Sequence, residues 1–529
     1  MMSRLIIYTG RRHTFLGFVI FCFFCTLYIN GLSAQSVDWV RNFGGSRDDF
    51  AYAVCQAQDS GFVVVGSTSS SDFDVTGYHG GNCAAFQCDD FWIFKVSKNG
   101  SLEWAKTMGG TMRDMALCVI TSGPNFIIGG TTFSSDGDVI GNHGGSDAWL
   151  IKMDGSGNLL WQKCIGSSGY EGFYSLLELS DKSLIACGGT TSNDSLVPGN
   201  HGSEDYWLVK MDSMGNVLWS QCYGGCCYEN ANKVKQTADQ GFILSGTAES
   251  NDGQAQLPLD RGKDYWIVKT DSVGLFQWSR FYGGSLYERN SSCCVSDDFG
   301  FVITGRAISY DDDVLNRHDQ SAGDGWTIKT DSSGSIEWQN AYGGTSWDQM
   351  NSVINTRDSG YALTGLAGSN DGDVIGNHDW DIWFLKIAAN GIIESQLCVG
   401  GPFGEEGLDI LQSYDRGYAI VGYTTGLGGD VPGFYGGYDV LVTKLNPIVN
   451  SLSEITNQEL IFFPNPAQNY MWLMNLHKSQ YANLYSQSGL KIKQFELKST
   501  EEKLDISDLS PGVYYIKMED GTVAKLLKY

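Results

Sequence analysis

"DGDVIGNHGGSDAWLIKMDGSGNLLWQKCIG", from Asp136 to Gly166, returns from Asp371 to Gly401 as "DGDVIGNHDWDIWFLKIAANGIIESQLCVGG". The fixed centre of both copies is Asp-x-Trp-x-x-Lys: Asp147, Trp149 and Lys152 in the first, Asp381, Trp383 and Lys386 in the second. Four more copies begin at Asp90, Asp205, Asp264 and Asp324, and a seventh at Asp439 has Leu441 in place of Trp. Successive copies lie 57, 58, 59, 60, 57 and 58 residues apart. A period in this range marks an array of like units, each too small to bury its own apolar face alone.

Each unit reads as four strands. Strand A follows a Gly-Gly pair, as in "RDDFAYAVCQAQ", and an Asp-x-Gly turn leads to strand B, "GFVVVGST". A long loop of the "DGDVIGNHGG" type leads to strand C, "DFWIFKV", and a short glycine-bearing turn leads to strand D, "LEWAKTMGG". Alternating apolar residues between turn signals predict strands, and 67 glycines against 9 prolines suit many tight turns. The predicted fold is all-β: a seven-bladed β-propeller with four-stranded blades.

The ends fix how the ring closes. Strand D carries a Trp nine residues after the Lys at Trp104, Trp161, Trp219, Trp278 and Trp338, and Ser395 in the sixth unit. The seventh has no strand D after Lys444, whereas "VDWVRNFGG" at the N-terminus is a strand D without a preceding C. The strand around Trp39 is therefore expected to complete the last blade, opposite Lys444, and so remove open sheet edges.

The expected divisions are a signal peptide at 1–34, the propeller at 35–446, a linker at 447–461 and a C-terminal domain at 462–529. Arg4, Arg11 and Arg12 precede an apolar run from Phe15 to Ile29, with small residues before Gln35, the pattern of an export signal and short for a membrane span. No transmembrane segment is expected in the mature chain. The formal charge is −25, and losing the three arginines of residues 1–34 lowers it to −28. Such an acidic surface disfavours nucleic acid and anionic membranes. Cys83 and Cys88, in one local insertion, are candidates for a disulfide.

After Asn446 the acidic balance disappears: residues 447–529 hold eight Lys and nine Asp or Glu. Pro464-Asn465-Pro466, Gly489, Leu504, Leu509, Pro511-Gly512, Tyr514 and a basic end follow in order. This segment resembles the type A C-terminal sorting domain of the type IX secretion system of Bacteroidota. The resemblance implies handling by that machinery and localisation outside the cell or on the outer-membrane surface; the residues themselves predict a small β-sandwich-like domain. The propeller resembles extracellular glycine-rich repeat propellers joined to such tails, a resemblance that implies no particular activity.

Strand order places the D–A turns and the long B–C loops on one face, where ligands usually dock. Every unit has an acid five residues after the first Gly: Asp49, Asp114, Glu171, Glu229, Glu288, Asp348 and Glu405. If strand A is innermost they form a carboxylate ring at the axial mouth, to bind a cation or to accept backbone amides. Asp136, Asp138, Asp371 and Asp373 offer oxygen ligands for calcium in loops that half-match an EF-hand pattern, or simply form turns. Five of the seven histidines (His79, His143, His201, His318, His378) sit just before strand C, in an arrangement that resembles the Asp/His/Trp sets of WD-repeat blades. Departures from symmetry point to a unique site: Arg261, Lys263, Arg289, Arg306 and Arg317 interrupt the acidic background in units four and five. Such a cluster suits an acidic ligand such as a uronic acid or sulfated glycan.

No GxSxG, HExxH, P-loop or dinucleotide fingerprint occurs. The expected function is a secreted or surface-anchored propeller that binds a glycan or a protein; the alternative is a glycoside hydrolase or polysaccharide lyase on the same scaffold.

Overall fold

The computed structural model describes residues 35–80, 88–194, 197–258, 262–319 and 322–448, and in the tail 461–463, 470–474, 480–486, 490–497, 501–510, 512–518 and 523–528. The expected signal peptide, Cys83, Arg261 and the Pro464-Asn465-Pro466 motif lie outside them. Cys88 is disulfide-bonded. No described helix is long and apolar enough to cross a membrane.

Between Val37 and Leu445 the described residues form seven four-stranded antiparallel sheets. In the first, Asp49–Gln56, Phe62–Thr68, Asp90–Val96 and Leu102–Met108 pair in sequence order as strands A to D. Five further sheets repeat that order. In the last, Glu405–Gln412, Tyr418–Thr424 and Asp439–Leu445 are completed by the N-terminal strand Val37–Phe43, with Trp39 opposite Lys444. This seventh sheet shares one buried core with the first, where Ala51 and Val54 meet Ala419 and Val421. The sheets therefore form a β-propeller.

Strands B and C are buried along nearly their whole length, on both faces. An alternating apolar pattern predicts one wet face, but a sheet stacked between two others has none. Strand A, on the axial channel, alternates over its first half, and strand D, on the rim, is part-exposed along most of its length. The strand-C tryptophans fill the spaces between sheets: Trp92, Trp149, Trp266, Trp326 and Trp383 have no exposed surface. Trp149 meets Phe91 of the preceding sheet at 4.5 Å between ring centroids, and Trp266 meets Tyr206 at 4.6 Å. The repeated Lys at the end of strand C anchors the A–B turn: Lys329 pairs with Asp298 at 2.9 Å and Glu337 at 2.6 Å, and Lys444 with Asp415 at 3.0 Å.

The strand-D tryptophan has a different partner, the C–D turn of the next sheet. Trp104 donates its indole N–H to the Gly155 carbonyl, Trp39 to that of Lys98 and Trp338 to that of Ala389. Each ring lies flat on a turn glycine with positive φ: Trp39 on Gly100, Trp104 on Gly157, Trp338 on Gly391. A Cβ at Gly157 would stand 2.9 Å from the Trp104 ring. This explains Ser395. The sheet after it is the composite one, which has no C–D turn to cover.

Every strand A carries a bulge at its fourth residue, such as Tyr52 or Asn232. A bulge re-aims the residues around it, and here it turns consecutive side chains toward the axis. The tail forms a three-stranded sheet and a four-stranded sheet, which share a core that includes Met471 and Leu504 from the first and Leu484 and Ile516 from the second.

Replacing Gly157 by Ala is expected to cost about 2 kcal/mol, because it combines a positive φ with a clash against an ordered ring. Urea unfolding followed by tryptophan fluorescence measures it; an unchanged midpoint would show that the ring-on-glycine contact carries no stability.

Candidate functional site

At each junction the first residue of strand A donates its N–H back to the residue before strand C of the preceding sheet. Asp49 reaches the Tyr438 carbonyl at 2.7 Å, Asp114 that of Asp89 at 2.6 Å and Glu405 that of Trp380 at 2.6 Å. The side chain of the same residue caps the turn. Asp49 accepts the Gly45 amide at 2.7 Å and the Ser70 hydroxyl at 2.9 Å, and Glu288 accepts the Gly284 amide at 2.9 Å and the Ser309 amide at 2.9 Å. Asp49, Asp114, Glu171, Glu229, Glu288, Asp348 and Glu405 are all buried. The carboxylate ring expected at the axial mouth is thus not an open ring. Its members are buried in the turns, because each must neutralise amides that no strand pairs.

The strand-C Asp faces this acid across the first glycine. A Cβ at Gly109 would lie 2.6 Å from Asp114 Oδ2 and 2.6 Å from Asp90 Oδ1. The other oxygen of the strand-C Asp takes the histidine: His143 Nδ1 lies 2.6 Å from Asp147, and His201 Nδ1 2.6 Å from Asp205. The five loop histidines are therefore architectural. Two of them also reach the following loop, His79 Nε2 to Asp138 at 3.6 Å and His318 Nε2 to Asp373 at 3.5 Å. Desolvation raises the Asp49 and Asp114 carboxyls to about 6, and those of Glu405 and Asp439 to about 7.

The loop aspartates considered as calcium ligands take part in the turns, the other reading their sequence allowed. Asp136 accepts the amide and the hydroxyl of Thr111, each at 2.8 Å, and Asp371 does the same with Thr345 at 2.7 Å. Asp138 and Asp373 face the amides of Gly109 and Gly343. These oxygens serve turn amides, and no described cluster of three or more His, Cys, Asp or Glu forms a metal-binding group.

The basic residues separate into two groups. Arg317 donates to the carbonyls of Ile308 and Ser309. Asn142 and Asn377 do this in other sheets, so Arg317 is a loop brace and not part of a surface cluster. Lys263, Arg289 and Arg306 instead converge on one cavity of about 650 Å³ over the fourth and fifth sheets. Tyr174, Tyr228 and Tyr287 line it with them. Arg289 and Arg306 stand directly opposite each other on paired strands, an arrangement of like charges that destabilises a sheet. Among the described residues neither forms an ion pair. Arg306 lies 3.9 Å above the Trp347 ring, its Nε has no partner, and desolvation followed by Arg289 depresses its pKa. Lys263 is paired with Glu249 at 3.0 Å. Among the described residues the one carboxylate in the wall, Glu288, is occupied by turn amides. The cavity is thus a polar aromatic basin in which two guanidinium groups have no ion-pair partner among the described residues. The tyrosines and Trp347 were not singled out in the sequence, since single aromatics there are too common to stand out.

Residues 461–528 match the family model of the secretion-system C-terminal sorting domain. Such a domain addresses its chain to the cell surface or the medium, so the protein is secreted. The chain has no match among curated proteins. Solved structures similar to it include PorZ, described as an essential bacterial surface component of the type-IX secretion system of Porphyromonas gingivalis, at 11% identity and a TM-score of 0.41. That match covers 92% of this chain and 60% of that one. The WD40 propeller of Doa1 is 10% identical with a TM-score of 0.44, covering 78% of this chain and 97% of that one. The Neurospora crassa Pan2 WD40 domain is 8% identical with the same TM-score, covering 78% and 96%. At these identities the likeness concerns the fold alone, and the propeller assignment rests on the sheets themselves.

A buried carboxyl whose folded pKa is raised favours the folded state while protonated. Its contribution is full below the unfolded value near 4 and is lost as pH rises through about 6 to 7. The melting temperature is therefore expected to be higher at pH 5 than at pH 8. Asp439→Asn, which sets an amide donor toward Asp49, should flatten that slope. Calorimetry across this range tests both; a melting temperature that climbs from pH 5 to pH 8 would contradict the burial argument.

Proposed function

We propose that this protein is a surface or extracellular binding propeller, exported by a type IX system through its tail, that captures an acidic glycan in the basin over the fourth and fifth sheets. One observation carries the reading: among the described residues Arg289 and Arg306 oppose each other without carboxylate partners, in a chain of net charge −25. Two cations held together at a cost to the sheet, in an otherwise acidic molecule, are best explained by an anionic ligand. A planar guanidinium suits carboxylate or sulfate by paired hydrogen bonds, and the tyrosines supply flat apolar faces with polar edges for sugar rings. Binding without turnover is favoured over hydrolysis or elimination because Glu288, the basin's carboxylate, is engaged by turn amides.

On this reading Arg306→Ala weakens binding to uronate or sulfated oligosaccharides by about tenfold or more, the loss of a charge-assisted contact of about 1.5–3 kcal/mol, while neutral sugars are unaffected. Affinity falls with added salt over the physiological range. A glycan array followed by titration calorimetry on parent and variant measures this; equal affinities would remove the basin from consideration. For the tail, deletion of residues 462–529 is expected to leave a folded propeller retained in the periplasm. Fractionation and immunoblotting check it, and normal delivery of the truncated chain to the surface or medium would refute the address.

A further inference from the structure

The axial channel carries a second charge anomaly, independent of the basin. The innermost strands of all seven sheets enclose a cavity of about 400 Å³. At the place just after the bulge the other sheets present Ala53, Cys118, Ser175, Ser292, Ser352 and Asp409. The fourth sheet presents Lys233 there, and Lys235 two residues further on, where its counterparts include Ile120, Leu177 and Ile354. Both lysines line the cavity, and among the described residues neither has an ion pair or a hydrogen bond from its ammonium group.

Among the described residues the wall holds one acid, Asp409, and it is already engaged: its oxygens take the Ser352 hydroxyl at 2.9 Å and the Val54 amide at 3.2 Å. Burial, then repulsion from Lys233, holds Lys235 below the usual lysine range. Two half-buried ammonium groups thus share one channel with a single, already engaged counter-charge, an arrangement that an anion between them would relieve. Ser175 adds a hydroxyl to the same wall, and its oxygen accepts the Val234 amide at 3.3 Å. Arg289 sits at the end where channel and basin meet.

We propose that Lys233 and Lys235 form an anion-binding site inside the axial channel, for a small oxyanion of the phosphate, sulfate or carboxylate class. It goes beyond the glycan reading and does not depend on it, because its anchoring cations are different. The site holds either a free ion or the acidic end of a larger ligand that enters past Arg289.

Thermal unfolding of the full chain in inorganic phosphate or sulfate, against chloride at equal ionic strength, tests the site. The anions are kept dilute, so that their general salting effect is small. Saturating phosphate or sulfate should raise the melting temperature by about 2–4 °C. The double variant K233M/K235M should lose that shift, and should melt higher than the parent in chloride, because it removes two neighbouring like charges from the channel. If the double variant does not fold, Lys235→Gln alone, with phosphate binding followed by the phosphorus NMR linewidth, gives the same comparison. Arg306→Ala should leave the phosphate shift intact, which separates this site from the basin. An oxyanion chain longer than the free ion that protects only when Arg289 is intact would identify the site as the end of a larger ligand's path. No shift in the parent, a shift retained in the lysine variants, or a shift abolished by Arg306→Ala would overturn the proposal.

Discussion

Each junction of the ring depends on a glycine held between two buried carboxylates. The strand-C Asp of one sheet and the strand-A acid of the next approach the same Cα, close enough that a Cβ at Gly109 would overlap both. One acid orders the loop, in five of the seven sheets through a histidine, and the other orders the turn through its amides. The backbone hydrogen bond from strand A to the preceding sheet then fixes the spacing between sheets. Buried carboxylates are costly unless hydrogen-bonded. The dense glycine, serine and threonine content of these turns is what supplies those partners.

This arrangement separates what the fold uses from what is left for function. Residues present at every junction are committed to turn amides and loop order, whatever their chemistry resembles. A loop aspartate that looks like a metal ligand, a histidine beside an acid, and a circle of seven acids are each accounted for by backbone groups that would otherwise go unpaired. The positions not used in this way are those where one sheet departs from the other six: Arg306 against Arg289, the tyrosines around them, and the lysines of the fourth inner strand. Folds of repeated units acquire specific sites in this way, by changing single positions on a frame already stable without them.

The repeat period made the sheets legible, and the unpaired strand D at Trp39 made the closure legible, because both depend on local pattern and simple counting. The site was legible only in part. Lys263, Arg289 and Arg306 stand out as bases in an acidic chain and do converge, but Arg317 has the same signature and braces a loop, a difference that depends on where a side chain turns. Lys233 and Lys235 were readable in "ENANKVKQ" only once the strand-A bulge was known, since it decides which residues face the axis. Ser395 was visible as an exception in the sequence, and its reason appeared only when the neighbouring sheet proved to lack the turn that a Trp would cover.

The strand from Val37 to Phe43 is the first part of the ring to be made and the last to be used. Its partner, Asp439–Leu445, lies some four hundred residues later, so the pairing that seals the circle is among the most non-local contacts the chain makes. Lengthening a loop adds little to the free energy of closing it, about 0.6 kcal/mol per doubling, but it delays the event, since every intervening sheet must be in place before the two strands face each other. Until then the other sheets form an open arc with an apolar sheet face bare at its end, and the strand Asp439–Leu445 lacks its outer neighbour. A chain that crosses a membrane before this step carries an unfinished circle, and its lifetime in that state sets how long those surfaces are exposed to other chains.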